Sequence, residues 1–203
     1  MTIVRISKKQ QVLELAAKYA VISSADVLQA DLPREYLHRL ADEGKLERIS
    51  RGLYQTVDRD QGQYFSMLSV AKQVPNGVIA LLSALSYHGI TTQHPYEVWI
   101  AVDRKARKPK IGYPKVRYLS MSAPVLNTGV EEHLIDGINI KVFTSAKTVV
   151  DCFKYRNKIG LDVALEALRE GWREKRFTID ELTNYAQVCR VLNVMRPYME
   201  SLV

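Results

Sequence analysis

Cysteine is almost missing from this chain: of 203 residues only Cys152 and Cys189 carry a thiol, and neither has a partner at CxxC or Cys/His spacing. Isolated in apolar helical contexts, they read as small core residues, so the pattern supports neither a disulfide framework nor a zinc site. Long apolar runs are missing too. The longest, residues 78–82, falls far short of the roughly 18 residues of a membrane span, so no membrane partner is expected. The amino terminus has no apolar signal-peptide stretch, because Arg5, Lys8, Lys9 and Glu14 recur through it, and a cytoplasmic protein is expected. There is no phosphate-cradling glycine loop, no nucleophile elbow and no HExxH pair. Nucleotide hydrolysis, acyl transfer and zinc proteolysis therefore have no support, and a non-enzyme without catalytic residues, metal or cofactor is expected. No repeat or low-complexity tract is present.

What is there is an ordinary globular composition, 47% hydrophobic and 25% charged, which supplies a core and argues against disorder. The length suits two domains, divided in the polar, turn-prone stretch 57–62: residues 1–60 and 61–203. Charge is unevenly spread. Residues 1–60 hold ten Lys/Arg against nine Asp/Glu, a net of +1, whereas the remainder holds nineteen against thirteen, a net of +6. Most of that excess lies in 103–117, where Arg104, Lys105, Arg107, Lys108, Lys110, Lys115 and Arg117 oppose one acid. Two readings stand side by side. The segment is a solvated hairpin loop between strands, or it meets nucleic acid or an acidic protein, since clustered cations gain free energy from counterion release on a polyanion.

Residues 23–54 carry the most specific pattern. An apolar stripe of Val12, Leu13, Ala16 and Ala17 predicts a first helix from near Ser7. A second short helix follows Ser23, packing Val27 and Leu28, and Asp31-Leu32-Pro33 interrupts it. A third is predicted from Pro33 to Gly44, with Leu37, Leu40 and Ala41 inward. The alternating runs 46–49 and 53–56 then flank Ser50-Arg51-Gly52. Three helices and a basic-tipped hairpin make a winged helix-turn-helix. Such units lay the exposed face of the last helix in the major groove while the wing touches backbone or minor groove. The expected DNA contacts are therefore Arg34, Tyr36, His38 and Arg39 on the helix, and Arg48, Ser50 and Arg51 on the wing. A protein-interaction module is the alternative use of the same unit.

Downstream, helices are predicted over 63–73 and 79–89, and strands over 96–102 and 116–119. Residues 130–135 and 138–143 flank Asp136-Gly137, a strong hairpin signal. From Ser145, read as a helix cap, the pattern stays helical, with 161–172 amphipathic and Thr178-Ile179-Asp180-Glu181 a capping box. The predicted fold class is α+β: an amino-terminal winged helix-turn-helix, then a mixed αβ domain with a mostly antiparallel sheet and carboxy-terminal helices.

The block from Leu37-His38-Arg39 to Arg51-Gly52-Leu53-Tyr54 resembles the AbiEi-type antitoxins of type IV, abortive-infection toxin-antitoxin systems. Ala80-Leu81-Leu82-Ser83-Ala84-Leu85-Ser86-Tyr87-His88-Gly89 and Phe143-Thr144-Ser145-Ala146-Lys147-Thr148-Val149-Val150-Asp151 are similar to two later blocks of that family. Where the family usually has arginine in the third block, this chain has Lys147, so no role is carried to it. The resemblance implies an autorepressor that binds inverted repeats in its own operator DNA, as a monomer in solution or a dimer on DNA. It also implies neutralisation of a cognate nucleotidyltransferase-like toxin, with direct contact left open. A reading of another class is a metal-dependent nuclease of a phage-defence system, in which Glu97, Asp103 and Lys105 form the site at a strand end. His88 and His133, inside apolar patterns, read as structural.

Overall fold

The computed structural model describes residues 6–91 and 95–202. The chain opens with α1 (Lys8–Lys18), β1 (Ile22–Ser23), α2 (Ser24–Gln29), α3 (Glu35–Asp42), β2 (Leu46–Ser50) and β3 (Leu53–Thr56). Each of the first two helices starts on a serine. The Ser7 hydroxyl accepts the Gln10 N–H at 3.2 Å, and Ser23 and Asp26 cap each other reciprocally at the head of α2. These bonds satisfy amides that a helix start otherwise leaves free. The strands form an antiparallel sheet in the order β1-β3-β2, and Val12, Val27, Leu37, Leu40, Leu46 and Tyr54 fill the space between sheet and helices. This is a winged helix-turn-helix. β1, which the sequence did not announce, ties the wing back to the first turn.

The remainder runs α4 (Phe65–Gln73), β4 (Val78–Ile79), α5 (Leu81–His88), β5 (Val98–Asp103), β6 (Val116–Met121), α6 (Ala123–Leu126), β7 (Val130–Ile135) and β8 (Ile138–Phe143). Helices α7 (Ser145–Lys154), α8 (Arg156–Ile159), α9 (Leu161–Arg173), α10 (Ile179–Cys189) and α11 (Leu192–Glu200) follow. The second sheet has the order β6-β5-β4-β8-β7. β4 with β5 and β7 with β8 are antiparallel, whereas β5 with β6 and β4 with β8 are parallel. The fold is α+β, as expected from the sequence. Asp136 and Gly137 both take positive φ, 47° and 77°, the backbone that a two-residue turn needs to match strand twist, and Ile135 pairs with Ile138 across it.

Strand periodicity sorts the sheet's side chains onto two faces. Trp99, Ala101, Leu119, Met121 and Phe143 meet α5, α7, α9, α10 and α11 in one core. Val98, Ile100, Val102, Ile138, Ile140 and Val142 face the other way, onto α4. That second core does not stop at the expected boundary. Ala20, Val21 and Leu53 of the winged helix lie in it beside Phe65 and Leu68 of α4. Polar links cross there as well: Lys72 of α4 pairs with Asp26 of α2 at 2.6 Å, the Ala20 N–H donates to Asp136 O at 3.1 Å, and Arg59 donates to Tyr19 O at 2.8 Å.

Three local expectations change. Ile79, read as the start of a helix, lies instead with Val78 in the central strand β4. The cap of α7 is Thr144, whose hydroxyl accepts the Lys147 N–H at 3.2 Å, and Ser145 is the first helical residue. The basic segment is not a hairpin loop. Because β5 and β6 run parallel, residues 104–115 must travel back along the full length of β5, about 20 Å at strand rise, to begin β6. The crossover is pinned on the way, with the Tyr118 hydroxyl donating to Pro109 O at 2.8 Å and Lys108 donating to Ser120 Oγ at 2.7 Å.

Candidate nucleic-acid interface

Leu37 and Leu40 of α3 are fully buried, and helical spacing turns Arg34, Glu35, His38, Arg39 and Asp42 outward, where all are exposed. Helix α3 starts after Arg34, two residues later than Pro33 suggested. Arg39 reaches back to Glu35 at 3.7 Å and lies 5.6 Å over the Tyr36 ring, which is half-buried. His38 is exposed but not loose: its ring meets the buried Tyr54 edge-on at 5.9 Å, with the phenol oxygen 3.3 Å from Nδ1. The helix is anchored at its far end, where Lys9 of α1 bonds Glu43 at 2.6 Å and holds that carboxyl below its ordinary range.

The wing turns at Gly52, whose φ of 76° suits a residue without Cβ, and this presents Arg51 to solvent. Arg48, also exposed, donates from Nε to Ser50 O at 3.4 Å across a register shift in β2. Ser50 itself is half-buried, and its hydroxyl is shielded without a partner among the described residues. The structure thus brings Arg34, Arg39, Arg48 and Arg51 to the surface of one winged helix, keeps Tyr36 and His38 as supports with exposed edges, and withholds the Ser50 hydroxyl.

The seven cations of residues 103–117 do not form one cluster. Arg104 and Lys105 sit just beyond the carboxyl end of β5, where the Lys105 N–H donates to Asp103 Oδ1 at 2.8 Å. Arg107 lines a cavity of about 550 Å³ with Asp103, Asn76 and Lys141. Lys110 is exposed, Lys115 lies 5.6 Å over Tyr96, and Arg117 pairs with Glu97 at 2.7 Å while covering the Trp99 ring at 4.7 Å. The set is strung along the sheet from one end to the other.

Residues 10–57 match the family model described as a transcriptional regulator, AbiEi antitoxin. That segment is similar to the AbiEi antitoxin regulators. The match ends with the wing, so the rest of the chain is placed by structure. Over 93% of this chain and 78% of the other, the fold is similar to that in the crystal structure of the RV2827C protein from Mycobacterium tuberculosis, with a TM-score of 0.57 and 14% sequence identity. At that identity the likeness concerns the fold alone. No curated protein matches the sequence.

Beyond the matched segment, Glu97 and Asp103 flank opposite ends of β5, about 20 Å apart at strand rise, and so do not share a metal ion. Among the described residues no group of three His, Cys, Asp or Glu is placed to hold one, and no helix is long and apolar enough to cross a membrane. His88 is structural: its Nε2–H donates to Phe143 O at 2.7 Å, and burial holds the imidazole below its ordinary pKa despite that bond. His133 lies beside Glu131 at 3.3 Å. Cys152 and Cys189 are buried free thiols, and burial with the nearby Asp151 pushes Cys189 up to about 11.

Sequence reasoning missed a wholly buried ion pair. Lys147 and Asp151, both at 0% exposure, are bonded one turn apart on α7, with the ammonium 4.0 Å over the Phe143 ring and the Cys189 thiol donating to Asp151 at 3.5 Å. Gly129, at φ 69°, lies where a Cβ would come within 2.8 Å of Lys147 Cβ. The i, i+4 spacing of opposite charges was visible in the sequence, but nothing there indicated burial.

Proposed function

We propose that the protein is the cytoplasmic antitoxin of a type IV, abortive-infection toxin-antitoxin system serving phage defence, and that it represses its own operon at inverted repeats. Residues 1–60 read the operator, α3 entering the major groove and the wing lying on the backbone. Residues 61–203 counteract a cognate nucleotidyltransferase-like toxin. One observation carries the reading: exposed arginines stand on both α3 and the wing of a segment that matches the AbiEi regulators. The Arg39–Glu35 pair does not oppose it. An exposed i, i+4 pair is worth about 0.3–0.5 kcal/mol, whereas a bidentate arginine–guanine contact discriminates by about 1–3 kcal/mol, so DNA displaces the pairing.

Band-shift titrations on the upstream region, at several salt concentrations, test the docking. Arg39→Ala is expected to cost about 1–3 kcal/mol and relax specificity at one base position, whereas Arg51→Ala weakens all sequences alike and lowers the salt slope by about one. Unchanged binding by both variants overturns the interface. For the antitoxin half, the full chain with Arg104, Lys105, Arg107 and Lys108 reversed to Glu is co-expressed with the neighbouring toxin. Loss of rescue with repression intact assigns the contact to the crossover, and full rescue removes the crossover from it.

A further inference from the structure

A second concave site lies away from α3, and neither the operator reading nor the family match touches it. A cavity of about 340 Å³ opens where four separated stretches meet: Arg104 at the start of the crossover, Ser122 at the β6–α6 junction, Lys154 in the last turn of α7, and Arg190 at the end of α10. No carboxylate lines it. Among the described residues, the side chains of Arg104, Lys154 and Arg190 have neither an ion pair nor a hydrogen bond. The nearest buried acid, Asp151, is already taken by Lys147. The Ser122 hydroxyl heads α6 without accepting a cap bond, and among the described residues its O–H donates to no partner.

Two features of this place oppose stability. Like charges are gathered with no carboxylate in the lining, the acid that Lys154 feels, Asp151, being bonded to Lys147, and Arg190 occupies the left-handed conformation, φ 59° and ψ 42°, that ends α10. Glycine is the residue that fits such a position without strain, because any Cβ crowds the following carbonyl. Arg190 is one of five described non-glycine residues with positive φ, and the one among them that lines this cavity. An anion in the cavity offsets both.

We propose that the cavity binds a phosphate monoester dianion. Arg104 and Arg190 supply planar guanidinium forks, Lys154 a point charge and Ser122 a hydroxyl donor, a set that matches the three peripheral oxygens and double charge of a phosphoryl end group. A single carboxylate leaves three cations underpaired. An internal phosphodiester, flanked by sugars on the convex outside of a duplex, meets exposed cations one at a time and does not enter a concavity. The chemistry is shared by free phosphate and by the terminal phosphate of an oligonucleotide.

The test uses the full chain at constant ionic strength, with inorganic phosphate replacing chloride in thermal melts and calorimetric titration. Wild type is expected to melt higher in phosphate. Arg190→Gly is expected to melt at or above wild type without phosphate, since glycine relieves the backbone, yet to bind phosphate at least about tenfold more weakly through loss of one charge-assisted contact. Lys154→Met is expected to weaken it likewise. Fluorescence anisotropy with single strands bearing a 5′-phosphate or a 5′-hydroxyl then names the source: preference for the phosphorylated strand assigns a nucleic-acid end, and equal binding assigns a small phosphate. Equal phosphate responses in wild type and both variants, no response in any, or stabilisation by an acidic peptide in place of phosphate would overturn the proposal.

Discussion

Lys147 and Asp151 show how little a charge pair reveals about its worth until its surroundings are known. In water an i, i+4 pair contributes a few tenths of a kcal/mol, but here both groups are sealed from solvent, and burial pushes Asp151 up while the ammonium pulls it down. Removing one partner strands the other in the core. Lys147→Met is expected to cost about 3–5 kcal/mol in urea denaturation, while Lys147→Met with Asp151→Leu recovers most of that loss; a double variant no better than the single one would show that the site needs the charges themselves. His88 makes the opposite use of burial. Its folded pKa lies below the ordinary 6.5, so on acidification the unfolded chain takes up the proton first and stability falls below about pH 6.5, levelling once the folded pKa is passed. Melting temperature should therefore drop more for wild type than for His88→Gln between about pH 7.5 and about pH 5.5, and equal drops would clear His88 of that role.

At the level of elements, short-range chemistry decides what begins and ends. Ser23→Ala is expected to lose about 1 kcal/mol and Ser23→Gly only a few tenths, because the α2 cap contributes through its hydroxyl and its extended backbone, which glycine also tolerates; equal losses would mean that neighbours, not the cap, hold the start of α2. The same locality explains what the sequence could show. Ser7, Ser23, Thr178 and Asp136-Gly137 act within four residues and were readable, as was the outward face of α3. At Thr144-Ser145 two adjacent hydroxyls compete, and only the extended φ and ψ of Thr144 decides between them. β1 and β4, at two residues each, are too short to express a period of two. The parallel pairing of β5 with β6 has no local signature at all, which is why the crossover resembled a hairpin loop. For the same reason the anion cavity was invisible: Arg104, Lys154 and Arg190 become neighbours only through the chain path.

In the whole molecule, the winged helix and the larger sheet are joined by one apolar core as well as by Asp26–Lys72. Leu53, in the wing strand and 1% exposed, belongs to that joint core, so Leu53→Ala is expected to cost about 2–5 kcal/mol and to shift a single calorimetric transition as one. Two resolved transitions, with only one of them moved, would mean that the reading head melts independently. A head carried on a flexible tether sweeps a volume, so a second contact is found at an effective concentration set by tether length. With Ala20, Val21 and Leu53 packed beneath α4, no such search takes place. The spacing between the exposed arginines of α3 and the larger sheet is therefore set when the chain folds, not by a later encounter.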